Sequence, residues 1–246
     1  MFEGARLKVE RADQHIHALE RCLREFTENS FTTRPHASGM DITYTFLAPP
    51  SEVALILGDA VHNLRSALDH LTWELDAAEE DRDPRLQFPV GKDRREFAKA
   101  CRQVQSRTGR AALKALEAFP GGDGEALHSL SVLDNEDKHR RLSAVAQVPG
   151  VSNLRLVKDG TELRSLAEVF PGGMFAPGET LTIDGAPPNS YLQFRDNEGA
   201  FPHIVLDGTP CFASQPVLLI AKHLRIAVSH TISAVARELA SEPGRS

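Results

Sequence analysis

Between Gly58 and Leu75 the run GDAVHNLRSALDHLTWEL places two rows of polar side chains beside an apolar helix face, and those rows hold the groups that acid–base or phosphate chemistry needs. At about 100° per residue, His62, Arg65 and Asp69 form one row, and Asp59, Asn63, Ser66 and His70 form another. An arginine fork suits phosphate or carboxylate, and histidine titrates near neutral pH. Gly58, one turn before His62, lets another backbone or a ligand come close, at roughly 1 kcal/mol of helix propensity relative to Ala. The bland alternative is an Arg65–Asp69 pair on a solvated face.

A second constellation lies in LHSLSVLDNEDKHRRL, from Leu127 to Leu142. Leu127, Leu130 and Leu133 make an apolar face that continues through Asp134, Asp137 and Arg141. Charges that follow a core stripe must be paired, hydrated or placed at a cleft, because unpaired burial costs several kcal/mol. The expected partners of Asp134 and Asp137 are Arg65 and His62 of the other helix. His128, Asn135 and His139 fall together on the opposite, solvent-facing side.

Three chemistries can be weighed on these residues. His62, Asp69, Asp134, Asp137 and His139 carry the imidazole and carboxylate groups of a bundle metal site. The chain lacks a Glu-x-x-His pair on each of two helices, and Arg65 would repel a divalent ion, so no metal and no cofactor is expected. Ser66 has His70 one turn away, but a mid-helix serine has no strained turn and no evident oxyanion donors. Gly121-Gly122-Asp123-Gly124 precedes a helix without the Lys and Ser or Thr of a phosphate-binding loop. Metal-independent cleavage of RNA is the third option.

The run Arg65-Ser66-Ala67-Leu68-Asp69-His70 resembles the signature of the HEPN superfamily, an Arg and a His separated by a short spacer. These are all-helical domains, many of which are ribonucleases of toxin and phage-defence systems. The residue after the Arg is commonly Asn, Asp or His in that family; here it is Ser66. GDAVHNLRSALDHL followed by LDNEDKHRRL is also similar to a group of uncharacterised bacterial proteins. The HEPN resemblance implies that Arg65 stabilises the phosphorane charge while His70 transfers a proton as a ribose 2′-hydroxyl attacks its phosphate. It further implies an RNA substrate, a homodimer whose motif helices meet, and an antitoxin partner; the helix-face reading adds His62, Asn63, Ser66, Asp69, Asp134, Asp137 and His139 as supporting residues. The competing reading is a non-catalytic interaction protein in which Arg65, Asp134, Asp137 and His139 hold two helices together, or a metal-binding bundle. A nuclease would expose Arg65 and His70 in one cleft.

The elements that must position these groups are legible from periodicity. Val9, Ala12, Ile16, Leu19, Leu23 and Phe26 predict a helix over 5–28. Segment 40–48 is rich in β-formers and stops at Pro49-Pro50; Ser51 is then the expected N-cap of a helix running to about Ala78. An acidic loop at 79–83, shorter helices over 93–105 and 108–118, and a further helix over 124–145 follow. From 150 onward turn signals take over, with Lys158-Asp159-Gly160-Thr161 as a hairpin and further turns at Asp184-Gly185, Asn197–Gly199 and Asp207-Gly208. Residues 215–239 return to helix, on which His223 and His230 would both face the bundle. The expectation is an α+β fold in one domain, 1–240: a bundle of four long helices (5–145 and 214–240) with a small antiparallel β unit, about 150–212, inserted before the last. Residues 241–246 read as a frayed tail.

The chain has 246 residues, 41% of them hydrophobic, enough for a sizeable core. A formal charge of -6 argues against a protein that coats nucleic acid through a general positive field, while leaving room for a local basic cleft. Cys22, Cys101 and Cys211 lack metal-ligand spacing and read as reduced core thiols. No signal-peptide pattern opens the chain and no uninterrupted apolar run of membrane-spanning length is found, so a cytoplasmic protein is expected.

Overall fold

The computed structural model describes residues 1–29, 31–44, 49–76, 83–139, 142, 144–147, 154–165, 180–194, 203–206, 208–209, 211–212 and 215–241. Arg141, the tail at 242–246, the turn at 197–199, Asp207 and most of the acidic loop lie outside the described residues.

The fold is mixed and mostly helical, with small antiparallel strand pairs. In chain order it comprises α1 (Glu3–Glu28), β1 (Phe31–His36), β2 (Gly39–Tyr44), α2 (Ser51–Leu75), α3 (Arg94–Cys101), α4 (Arg107–Lys114), α5 (Glu125–His139), β3 (Ala144–Gln147), β4 (Leu154–Lys158), β5 (Thr161–Ser165), β6 (Thr180–Asp184), β7 (Tyr191–Phe194), β8 (His203–Leu206) and α6 (Val217–Ser241). The helix α2 packs against α1, α5 and α6, and α6 also touches α1, α4 and α5.

Burial follows the apolar periodicity. Leu57, Val61, Leu64, Leu68, Leu71 and Leu75 of α2 are all buried, as are Ala12, Ile16, Leu19, Leu23 and Phe26 of α1. On α6 the stripe Val217, Ala221, Leu224, Val228, Ile232 and Val235 completes the core. That helix has the length and apolar composition to cross a membrane, but its stripe is spent on the other helices. His223 and His230 stand on its exposed side, not toward the bundle, because they fall outside this stripe.

Three further expectations need correction. The helix expected over 124–145 is described as α5 from Glu125 to His139, and it cannot reach 145 because β3 begins at Ala144. The β structure is not one insertion before α6. A β1–β2 hairpin stands between α1 and α2, and β2 takes β6 as its other neighbour, which satisfies the ladder groups that β2 would otherwise leave open. β3 pairs with β8, and β4 lies between β5 and β7. The β4–β5 turn is the expected Asp159-Gly160, both at positive φ (49 and 77), as a two-residue hairpin turn requires. Finally, Ser51 is the first residue of α2; Pro50 occupies the cap position with no side-chain capping bond.

Candidate functional site

Arg65 is the buried cation of α2, enclosed by groups of the protein itself. Its side chain is 8% exposed, with Nη1 2.8 Å from Asp69 Oδ1. That contact is ionic and not aligned as a hydrogen bond, since Nη1 has no hydrogen-bond acceptor among the described residues. Nη2 donates to the Phe88 carbonyl at 3.2 Å, and the Phe88 N–H donates to Asp69 Oδ1 at 2.8 Å. The guanidinium carbon also stands 5.9 Å from the centre of the Phe88 ring.

This arrangement has a local cause. Residues 86–91, LQFPVG, lie between α2 and α3 with no helix or sheet ladder. Pro89 disfavours helical geometry at Phe88, whose ring is buried. A buried peptide group with no ladder must find other partners. Arg65 and Asp69, one turn apart on α2, present one donor and one acceptor to the two ends of that residue. Burial raises the Asp69 carboxyl above its ordinary pKa, with Asp134 adding to the rise, against the lowering effect of Arg65, the Phe88 N–H and Lys138.

The second contact joins α2 to α5. Asp134, buried, accepts from Lys138 Nζ at 2.5 Å and lies 3.1 Å from His62 Nδ1. The expected His62–Asp134 contact is therefore present, whereas Arg65 pairs with Asp69 of its own helix instead of Asp134 or Asp137. Gly58 lets Asp137 approach: a Cβ at position 58 would stand 2.5 Å from Asp137 Oδ2 and 2.7 Å from its Cγ. The close neighbour that Gly58 admits is thus a side chain of α5. Burial pushes the Asp137 carboxyl up; Asp134 and Asp59 push it further, while His62 and the Leu142 N–H oppose.

The row Asp59, Asn63, Ser66 and His70 runs along the α1 side. Asp59 Oδ2 is 3.8 Å from His15 Nδ1, and Asn63 Nδ2 donates to the Asp59 carbonyl at 2.8 Å. Ser66 is half-buried. His70 is exposed and stands beside Gly4, where a Cβ would meet its Nδ1 at 3.0 Å. One turn on, Glu74 Oε2 accepts the Phe2 N–H at 2.7 Å. Arg65 and His70 consequently occupy separate environments, one sealed by Asp69 and Phe88, the other at the start of α1.

The remaining candidates are dispersed. His128 is half-buried, which lowers its pKa, and Asn135 is exposed; the side chain of His139 lies outside the described residues. Among the described residues no three His, Cys, Asp or Glu side chains form a group able to hold a metal ion. Of the cysteines only Cys101 is fully buried, its thiol pushed up to about 11 by burial; Cys22 and Cys211 are half-buried. Sequence reasoning missed Phe88, Glu74, Lys138 and Asp76. Lys138 was readable as the i+4 partner of Asp134. Asp76, fully buried at the end of α2, accepts the Ser106 N–H at 2.7 Å and so ties α2 to the start of α4.

No family model, no curated protein and no solved structure matches this chain.

Three outcomes are expected. Arg65→Ala strands the Asp69 carboxylate and the Phe88 carbonyl, and should lower unfolding stability by about 3 kcal/mol, the range for breaking one side of a buried pair. Arg65→Lys keeps the charge but not the fork and should fall between, as read from urea midpoints. Gly58→Ala should destabilise by about 1–3 kcal/mol through overpacking in the wild-type background. In an Asp137→Ala background the same change should stabilise by up to about 1 kcal/mol, since only helix propensity is left. Because the Asp137 carboxyl is raised above 3.8 in the folded state, folding retains its proton, and this group's contribution declines as pH climbs above the ordinary carboxylate range. Asp137→Asn, which can still accept the Leu142 N–H, should therefore gain stability over wild type between pH 4 and pH 7 and gain least below pH 4; urea midpoints across that range test the sign.

Proposed function

We propose that this chain is a non-catalytic binding or interaction protein, a bundle of α1, α2, α5 and α6 whose α2 polar rows hold the scaffold together. The observation that carries this reading is the enclosure of Arg65 by Asp69 and the main chain of Phe88, with His70 apart at Gly4. Phosphoryl transfer requires an arginine and a proton-transfer group to reach the same phosphate. Here the fork of Arg65 is spent on a carboxylate and a carbonyl, so exposing it costs the pair and the contact with residues 86–91. Kinship with the HEPN superfamily, drawn from the spacing of Arg65 and His70, remains compatible as a shared helical scaffold without nuclease chemistry.

An RNA-cleavage assay without divalent metal separates this reading from the ribonuclease alternative. Wild type, Arg65→Ala and His70→Ala should all match the protein-free control, with Arg65→Ala differing only in stability. Cleavage by wild type that both substitutions abolish, while circular dichroism and the unfolding midpoint of His70→Ala stay at wild-type values, would overturn the proposal.

A further inference from the structure

Charge is unevenly distributed along this chain. Between positions 92 and 114 there are eight Lys or Arg and two Asp or Glu, so a stretch of net +6 sits in a protein of net -6. By contrast α1 carries five basic and six acidic residues. The excess is displayed on the α3–α4 corner. Arg95, Lys99 and Arg102 follow at steps of four and three, which stacks them on one face of α3 over about 10 Å. All three are exposed, and among the described residues none has a carboxylate within ion-pair distance. Together with Lys92, Asp93 and Glu96 they line an open groove of about 540 Å³.

The acidic members of this groove are already engaged. Asp93 caps α3, its Oδ1 accepting the Glu96 N–H at 2.7 Å, and Glu96 pairs with Lys92 at 2.7 Å. Arg94, beside the groove, pairs with Glu117 at 2.9 Å and stacks over Phe119. What the face offers outward is a row of cations. Arg107, also exposed, opens α4.

We propose that this face of α3 binds the phosphate backbone of a double-stranded nucleic acid, without reading base sequence. Cations repeated at about 5–6 Å along a helix address an evenly charged polymer better than a single anion. Two arginines in the row add forks that match phosphate oxygens. Neighbouring rings are turned inward: Phe97 and Phe119 are buried, so no aromatic platform is offered for unpaired bases, which favours the duplex over a single strand. Among the described residues the exposed large apolar side chains, Met1, Leu7, Leu55, Leu163, Tyr191, Leu219 and Ile226, all lie outside 92–114. A membrane-surface helix would carry an apolar face to bury, and a protein partner would want an apolar anchor, and this face shows neither. The overall negative charge does not prevent such contact, because at physiological salt charges beyond about 8 Å are largely screened. The inference rests on residues separate from the α2 network, and it gives the binding reading above a ligand class.

Fluorescence anisotropy with labelled 20-base-pair RNA and DNA duplexes tests it, using the full chain in 50 to 200 mM salt. Wild type should bind both duplexes more tightly than a single strand of the same length. With three to four phosphates neutralised, the slope of log affinity against log salt should be about -3. Arg95→Glu/Lys99→Glu/Arg102→Glu should lose at least tenfold in affinity at 50 mM salt and most of that slope, with an unchanged unfolding midpoint. Arg6→Glu/Arg11→Glu/Arg21→Glu, which makes the same change in net charge on exposed positions of α1, should lose less than threefold. Equal losses in the two triple variants would overturn the proposal, as would absence of salt-dependent duplex binding by wild type. Vesicles of one-third phosphatidylserine, or polyglutamate, bound more tightly than duplex through the same three residues would overturn it in favour of a lipid or acidic-protein partner. Because the cleavage assay reads Arg65 and His70 while this one reads α3, failure of either proposal is visible independently.

Discussion

The peptide group of Phe88 is buried where neither helix nor sheet can satisfy it, and that constraint organises the middle of the molecule. A buried peptide N–H and C=O without partners would cost several kcal/mol, a large fraction of the stability of any domain. The Arg65–Asp69 pair removes the problem at both ends of the residue. Removing two side-chain charges from water for this purpose gains little net energy by itself. What it secures is position: residues 86–91 are held to α2, and α3 starts from a fixed point.

From there the other polar rows of α2 take on the same character. His62 turns to Asp134 of α5, Gly58 makes room for Asp137, Asp59 lies by His15 of α1, and Glu74 accepts the N–H of Phe2. Members of both rows that suggested chemistry thus contact the neighbours they face. The raised carboxyls of Asp69 and Asp137 are the cost of such contacts, because burial and like charges accompany the close packing. Perturbed groups of this kind arise in structural networks as well as in active sites.

Much of the architecture was legible because helices betray themselves through apolar periodicity. The stripes of α1, α2 and α6 were read residue by residue, and the Asp159-Gly160 hairpin followed from turn chemistry. The partnership of β2 with β6 joins residues well over a hundred positions apart, and no local pattern records which distant strand will satisfy an open edge. The site was harder for a related reason. Periodicity reports that Arg65 and Asp69 share a face; what covers that face is a stretch with no periodicity at all. The partner of Arg65 is moreover a main-chain carbonyl, which carries no residue-type signal.

The spacing of Arg65 and His70 contains a further physical statement that a signature match hides. Five positions along an α-helix amount to about 140° of rotation, so the two side chains leave the helix on different sides. A spacing of seven would return them to one face. In this chain the side of the helix facing Arg65 is occupied by Phe88, while His70 stands beside Gly4 of α1. The four-residue step from Arg65 to Asp69 differs by only about 40° and gives the ion pair that is seen. Helix geometry thus already favours the carboxylate over the imidazole as the partner of this guanidinium, and the packing of residues 86–91 follows that preference.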